Sequence, residues 1–196
     1  MVRLFLGFFA KSLFTDSVCG GQEAGPLVCV KELLGRTSSL LTKNIVMASK
    51  AYTGSVWYQK EIQLSPKKRG CHLIGEEVHR NTPEMKNIKV GLMHVLIKHT
   101  SASIALNENW DPSVRDDTEM FMNKLVPEST PFKHSCEGPD DMPAHLKALF
   151  FGSSVTIPIT DGKANLGTWQ GLWLCEHRDR GGSRKIVVTI QGAPIS

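Results

Sequence analysis

The chain has 196 residues, 41% of them hydrophobic and 21% charged, and a formal net charge of +4. That length suits one domain with a sizeable core, and no run reaches the roughly 18–20 apolar residues of a membrane-spanning helix. Basic residues are scattered apart from small knots at Lys67-Lys68-Arg69 and between Arg178 and Lys185. Those knots read as solvated turns, so the composition argues against a nucleic-acid-binding face.

Residues 1–50 read as an N-terminal extension and 51–196 as a single domain. "MVRLFLGFFAKSLFTDSVCGG" offers an early Arg, a short apolar patch and then small polar residues. The pattern fits an organelle-targeting segment, an unstructured extension, or a stretch upstream of a start at Met47.

The strand pattern begins at Ser55. "SVWYQKEIQL" alternates Val56, Tyr58, Lys60, Ile62 and Leu64 against Trp57, Gln59, Glu61 and Gln63, the period of a half-buried strand. "GCHLI" predicts a second short strand, and "GEEVHRNTPEMKNI" a helix limited by Pro83. "KVGLMHVLIKHT" is apolar on both faces, as a central strand is, and "SASIALNEN" predicts a further strand. A helix then starts with Asp111 as cap and Pro112 in the first turn, placing Val114, Phe121 and Leu125 on one face. After a polar loop, a second helix is expected from about Asp141 to Phe150, stopped at Gly152. "SSVTIPI", "GTWQGLWLCEH" and "RKIVVTIQG" close the chain as strands, the first two joined by an Asp161-Gly162 hairpin turn. The order predicts an α+β fold, a largely antiparallel sheet with helices packed on one face.

Five cysteines without CxxC spacing argue against a disulfide framework or a zinc ribbon and for a reducing, cytoplasmic setting. Cys175, inside an apolar strand, reads as a buried thiol. GxSxG, Walker A and GxGxxG motifs are all absent.

His99 follows Met93, Val95 and Ile97 in alternation, which points it toward an apolar layer. It is either a satisfied core histidine or a ligand. With His134 in the polar loop and His145 at a helix start, it can form a three-imidazole site for a transition metal. The other histidines, His72, His79, His94 and His177, read as surface or structural groups. Thr100, Ser101 and Ser103 either cap a turn or donate to the oxygens of a phosphate. In "NLGTWQG", Gly167 and Gly171 either serve close packing or permit ligand approach, with Thr168 and Gln170 supplying polar groups. Glu108 offers a metal ligand or general base beside Asn107. Asp116, Asp117, Asp140 and Asp141 read as helix-terminal carboxylates.

Taken together, "HTSASIALNENWDPSVRDD", "HSCEGPDDMPAHLKALFFG", "IPITDGKANLGTWQGLWLCEHRD" and "RKIVVTIQG" resemble the YjbQ family, also called the secondary thiamine-phosphate synthase family. The match runs from about Val56 to Gly192, and the "EGPDDMPAH" and "CEHRD" wording resembles its eukaryotic branch. The resemblance implies a homotrimer with sites near subunit boundaries and a histidine-lined metal or anion site carried by His99, His134 and His145. It implies a pocket wall of Thr100, Ser101, Asn107, Glu108, Gly167, Thr168 and Gln170; the hydroxyl run adds Ser103 as a substrate-binding candidate, and Glu108 and His99 are the catalytic candidates by residue type. The implied activity is a weak thiamine-phosphate synthase, a transferase joining a pyrimidine methyl diphosphate to a thiazole phosphate with loss of pyrophosphate. The implied cofactor is a divalent ion, zinc or one like it, with magnesium the alternative for a diphosphate substrate. The competing expectation is a non-catalytic trimer that binds a metal or a small phosphorylated metabolite.

Overall fold

The computed structural model describes residues 54–195. The expected N-terminal extension, residues 1–50, lies outside the described residues. Among the described residues, eight strands form two antiparallel sheets. β1 (Val56–Gln63), β3 (Ile88–Ile97), β5 (Ser154–Thr160), β6 (Lys163–Ala164) and β8 (Lys185–Pro194) make a five-stranded sheet in the order β1-β8-β3-β5-β6. β2 (Gly70–Leu73), β7 (Gln170–Glu176) and β4 (Ala102–Glu108) make a three-stranded one. The expected single sheet is therefore two, although every paired strand is antiparallel.

The sheets face one another. Ile62, Met93, Val95, Ile157, Ile186 and Val188 from the larger meet Ala102, Ile104, Leu172 and Leu174 from the smaller in the main core. A second, smaller cluster lies on the other face of the three-stranded sheet. There Cys71, Trp173 and Cys175 are joined by Ala105, Val114 and Phe151. Helices α2 (Pro112–Leu125) and α3 (Asp141–Phe151) supply the last two of these and cover that face. The strand β7 is thus enclosed on both faces, and Gly171 through Glu176 are all buried. By contrast, the outer face of the five-stranded sheet leaves Trp57, Val90, Leu92 and Leu96 exposed.

Local signals worked as expected at several element ends. Asp111 caps α2, its carboxylate accepting from Ser113 N at 2.8 Å, with Pro112 in the first turn. Gly152, at φ 89°, ends α3. The sequence "GEEVHRNTPEMKN" divides into α1 (Gly75–Asn81) and a 3₁₀ turn (Pro83–Asn87) that starts at the predicted proline.

Two expectations need correction. Asp161 and Gly162, both at positive φ, turn the chain into the two-residue β6, while β7 belongs to the other sheet. In α2, Phe121 and Leu125 are exposed and Met122 is the buried residue. The inward side of α2 is polar because buried charges meet it. Asn123 Oδ1 accepts from Arg69 Nη2 at 2.5 Å and from Lys147 Nζ of α3, a fully buried lysine. Glu119 binds Arg69 Nε at 2.9 Å. Among the described residues, no helix is long and apolar enough to cross a membrane.

Candidate metal centre

β3 ends at Ile97, two residues short of His99, and the chain bends back through Thr100 and Ser101 into β4. His99 is therefore exposed rather than directed into the apolar layer. Its Nδ1 accepts from Ser101 N at 3.0 Å, which leaves the proton of the neutral ring on Nε2. Partial burial, with Arg184 nearby, holds its pKa below the ordinary value, so the neutral form is favoured.

The bend also presents a carbonyl to α3. His145 Nδ1 lies 3.0 Å from Thr100 O, and Ser101 Oγ lies 3.4 Å from the same nitrogen. A carbonyl only accepts, so Nδ1 carries the hydrogen and the Nε2 lone pair of the neutral ring is free. That Nε2 faces Asp141 Oδ2 at 3.5 Å, one helical turn away at i,i+4. His134, from the loop before α3, brings its Nε2 to 2.8 Å from the same oxygen. The two imidazole centroids are 5.5 Å apart.

The Asp141 side chain is only 2% exposed, and Oδ2 makes no hydrogen bond despite its closeness to His134. Oδ1 is held by Arg178 Nη1. Arg178 Nε also binds Asp140 Oδ2 at 2.9 Å, and Asp179 N donates to that oxygen at 3.0 Å. These bonds keep Asp140 below the usual carboxylate range despite its burial. Asp140 makes no side-chain cap bond to α3. The capping explanation for Asp140 and Asp141 therefore gives way to an arginine clamp that aims Asp141 at the histidines.

His134, Asp141 and His145 together place two nitrogens and one oxygen within 4.8 Å of one another. This donor set suits zinc and related ions better than magnesium, which favours oxygen ligands. The fit is supported by the free Nε2 lone pair, the unbonded Oδ2, and the fixed orientation of both groups. His99 stands beside this group without belonging to it. Asp141 was hidden in the sequence by its place in a helix first turn; the readable signal was the Asp-x-x-x-His spacing. Arg178, read as part of a solvated basic knot, is mostly buried in the clamp. Arg184, from the same knot, is buried against Glu176 at 2.6 and 2.7 Å.

Thr100 and Ser101 stay beside His145, and the other expected pocket residues go elsewhere. Ser103 is fully buried, its Oγ 2.8 Å from His177 Nε2, and Ser101 is 2% exposed. Asn107, Glu108, Gly167, Thr168 and Gln170 gather at the opposite end of β4, roughly 20 Å from Ala102 at about 3.3 Å per residue. There Asn109 Nδ2 donates to Thr168 O at 3.2 Å and to Gln170 O at 2.9 Å, and Gly167 N donates to Gln170 Oε1 at 2.8 Å. Asn107 Oδ1 accepts from Glu108 N at 2.9 Å. Gly171 answers a packing need, because a Cβ there would lie 2.6 Å from Leu73 Cδ2 and 2.8 Å from Asn109 Cβ. A cavity of about 980 Å³ borders this end, lined by Leu73, Met93, Leu166 and Gln170 among others. The cavity and the histidine cluster are at different places in the fold.

The fold and the cluster define an α+β protein of two facing antiparallel sheets with a candidate metal centre at one end of the smaller. The chain belongs to the YjbQ-like UPF0047 protein family, whose model matches residues 60–193. It is 48% identical over 137 residues to the UPF0047 protein YjbQ of Escherichia coli O157:H7, covering 70% of this chain and 99% of that protein. It is 38% identical over 136 residues to the UPF0047 protein of Synechocystis, covering 69% and 92%. A YbjQ-like protein of unknown function from Sulfolobus solfataricus superimposes with a TM-score of 0.64 at 26% identity, over 71% of this chain and 99% of that one. A family member from Clostridium acetobutylicum gives 0.56 at 34% identity, over 69% and 98%.

Proposed function

We propose that His134, Asp141 and His145 bind a divalent transition-metal ion and that the chain uses it on a small phosphorylated metabolite. The observation that carries this reading is the buried Asp141 Oδ2, unbonded and facing two imidazole Nε2 atoms. A bound ion would supply Lewis-acid stabilisation of charge on a phosphoryl oxygen. In this reading His99 would donate through Nε2–H and exposed Thr100 through its hydroxyl. The finer assignment is the weak thiamine-phosphate synthase reaction, in which pyrophosphate departs from the pyrimidine methyl carbon and the thiazole nitrogen attacks that carbon. The family resemblance supports this reaction, and the "EGPDDMPAH" and "CEHRD" wording supports the eukaryotic branch.

The separation of the Gly167–Gln170 loop from the histidines supports a trimer in which a neighbouring copy completes the pocket. The apolar side chains exposed on the outer sheet face support self-association. Retention of a metabolite without turnover remains the non-catalytic reading.

Zinc titration of metal-stripped protein tests the centre. One ion per chain is expected, with affinity lowered by about a hundredfold or more in Asp141→Asn. Equal zinc uptake by both proteins removes the metal reading. Product formation from the pyrimidine diphosphate and thiazole phosphate tests the reaction, and equal rates for wild type and His134→Ala remove the enzymatic one. A monomeric mass in light scattering removes the trimer.

A further inference from the structure

Cys71 and Cys175 lie directly opposite each other on β2 and β7, with their sulfurs 3.6 Å apart and no disulfide between them. The ladder bond from Ile74 N to Leu172 O sets the alternation of the strand pair. Counting three residues along makes Cys71–Cys175 a non-hydrogen-bonded pair, the type whose side chains approach most closely. The ~4.5 Å Cα separation of such pairs falls within the range that a disulfide spans. We propose that this pair is a redox modification site, closed to a disulfide by a hydroperoxide and reopened by a thiol reductant.

The two thiols are not equivalent. Cys71 keeps 9% of its surface and lines a cavity of about 600 Å³ together with Arg69, His72, Arg115 and Lys124. This opening gives a peroxide access to the Cys71 sulfur, which Cys175 lacks. Cys175 is fully buried, and its contact with Cys71, together with burial, raises its pKa well above the ordinary value. Cys71 is therefore the attacking group and Cys175 the resolving one. The Cys71 thiolate attacks one peroxide oxygen, breaking the O–O bond and releasing hydroxide, or alkoxide from an organic hydroperoxide. The resulting sulfenic acid is attacked by Cys175 sulfur, which expels the hydroxyl as water once a proton is taken up. The two thiols lose two electrons and the peroxide gains them. This pair shares no residue with the proposed metal centre.

The test uses the full chain treated with hydrogen peroxide, then alkylated under denaturing conditions, digested and mapped by mass. A linked Cys71–Cys175 peptide is expected, and it should disappear on reduction. Cys175→Ser should leave Cys71 as a sulfenic acid trapped by dimedone. Cys71→Ser should slow oxidation of Cys175 by about tenfold or more. Exposed Cys136 serves as the internal control. Oxidation of Cys136 without any linked peptide in the wild-type chain overturns the proposal, whatever the variants do.

Discussion

The two ends of β4 use similar residue types to opposite effect. At the Asn107–Trp110 end, amides and carbonyls satisfy one another: Asn109 closes onto Thr168 and Gln170, and Gln170 closes onto Gly167. At the Ala102 end, charges are buried and a carboxylate oxygen is left facing two imidazoles. Polar side chains that complete each other build a loop. Those held in place by others while keeping an unshared atom build a binding site.

The comparison makes predictions of decreasing size. Glu176 and Arg184 underpin the histidine end as a buried pair. Arg184→Ala leaves that carboxylate unpaired and should lower unfolding free energy by about 3–5 kcal/mol in urea denaturation. Asn109→Ala removes two bonds to carbonyls at the other end and should cost about 1–3 kcal/mol. It should leave zinc uptake unchanged in the same preparation. A loss of metal would break the proposed division between the two ends.

The acid response should also belong to the histidine end. Burial, then Lys147, Arg69 and Arg184, lower the pKa of His177 from 6.5 to about 3. The unfolded chain therefore takes up a proton that the folded chain refuses. Its effect is absent above pH 6.5, and stability falls as pH drops from 6.5 toward 3, by up to about 1.4 kcal/mol per unit. His99 is shifted in the same direction. Urea midpoints between pH 6.5 and 5 should fall in the wild type and less in His177→Gln; identical slopes would sink the assignment. The smallest effect is expected for exposed Thr168→Ala, within about 0.5 kcal/mol by the same measurement. A larger loss would show that its side chain, and not only its carbonyl, holds the loop.

Much of the fold was legible because its signals are local. Asp111-Pro112 started α2 and Gly152 ended α3 without help from distant residues. The partition into two sheets was not legible, since alternation assigns faces and says nothing about which strands share a ladder. The inward side of α2 was misread for a related reason. Lys147 and Arg69 come from outside the helix, and they make Glu119 and Asn123, rather than Phe121 and Leu125, the facing residues. His134 and His145 were named from residue type, and the structure brings them together. Asp141 was passed over because a carboxylate in a first turn already has an electrostatic explanation. Arg178 was passed over because its partners lie on a distant helix.

The two-sided enclosure of β7 carries a consequence for how the molecule opens. Its amides are laddered to β2 on one side and β4 on the other, beneath core on both faces. Solvent hydrogen should reach Leu172 through Glu176 only when the sandwich comes apart as a whole. Deuterium uptake at this strand would then run at the pace of global unfolding, far behind the outer strand β1. The residues next to the metal centre would be anchored to the slowest-opening part of the protein.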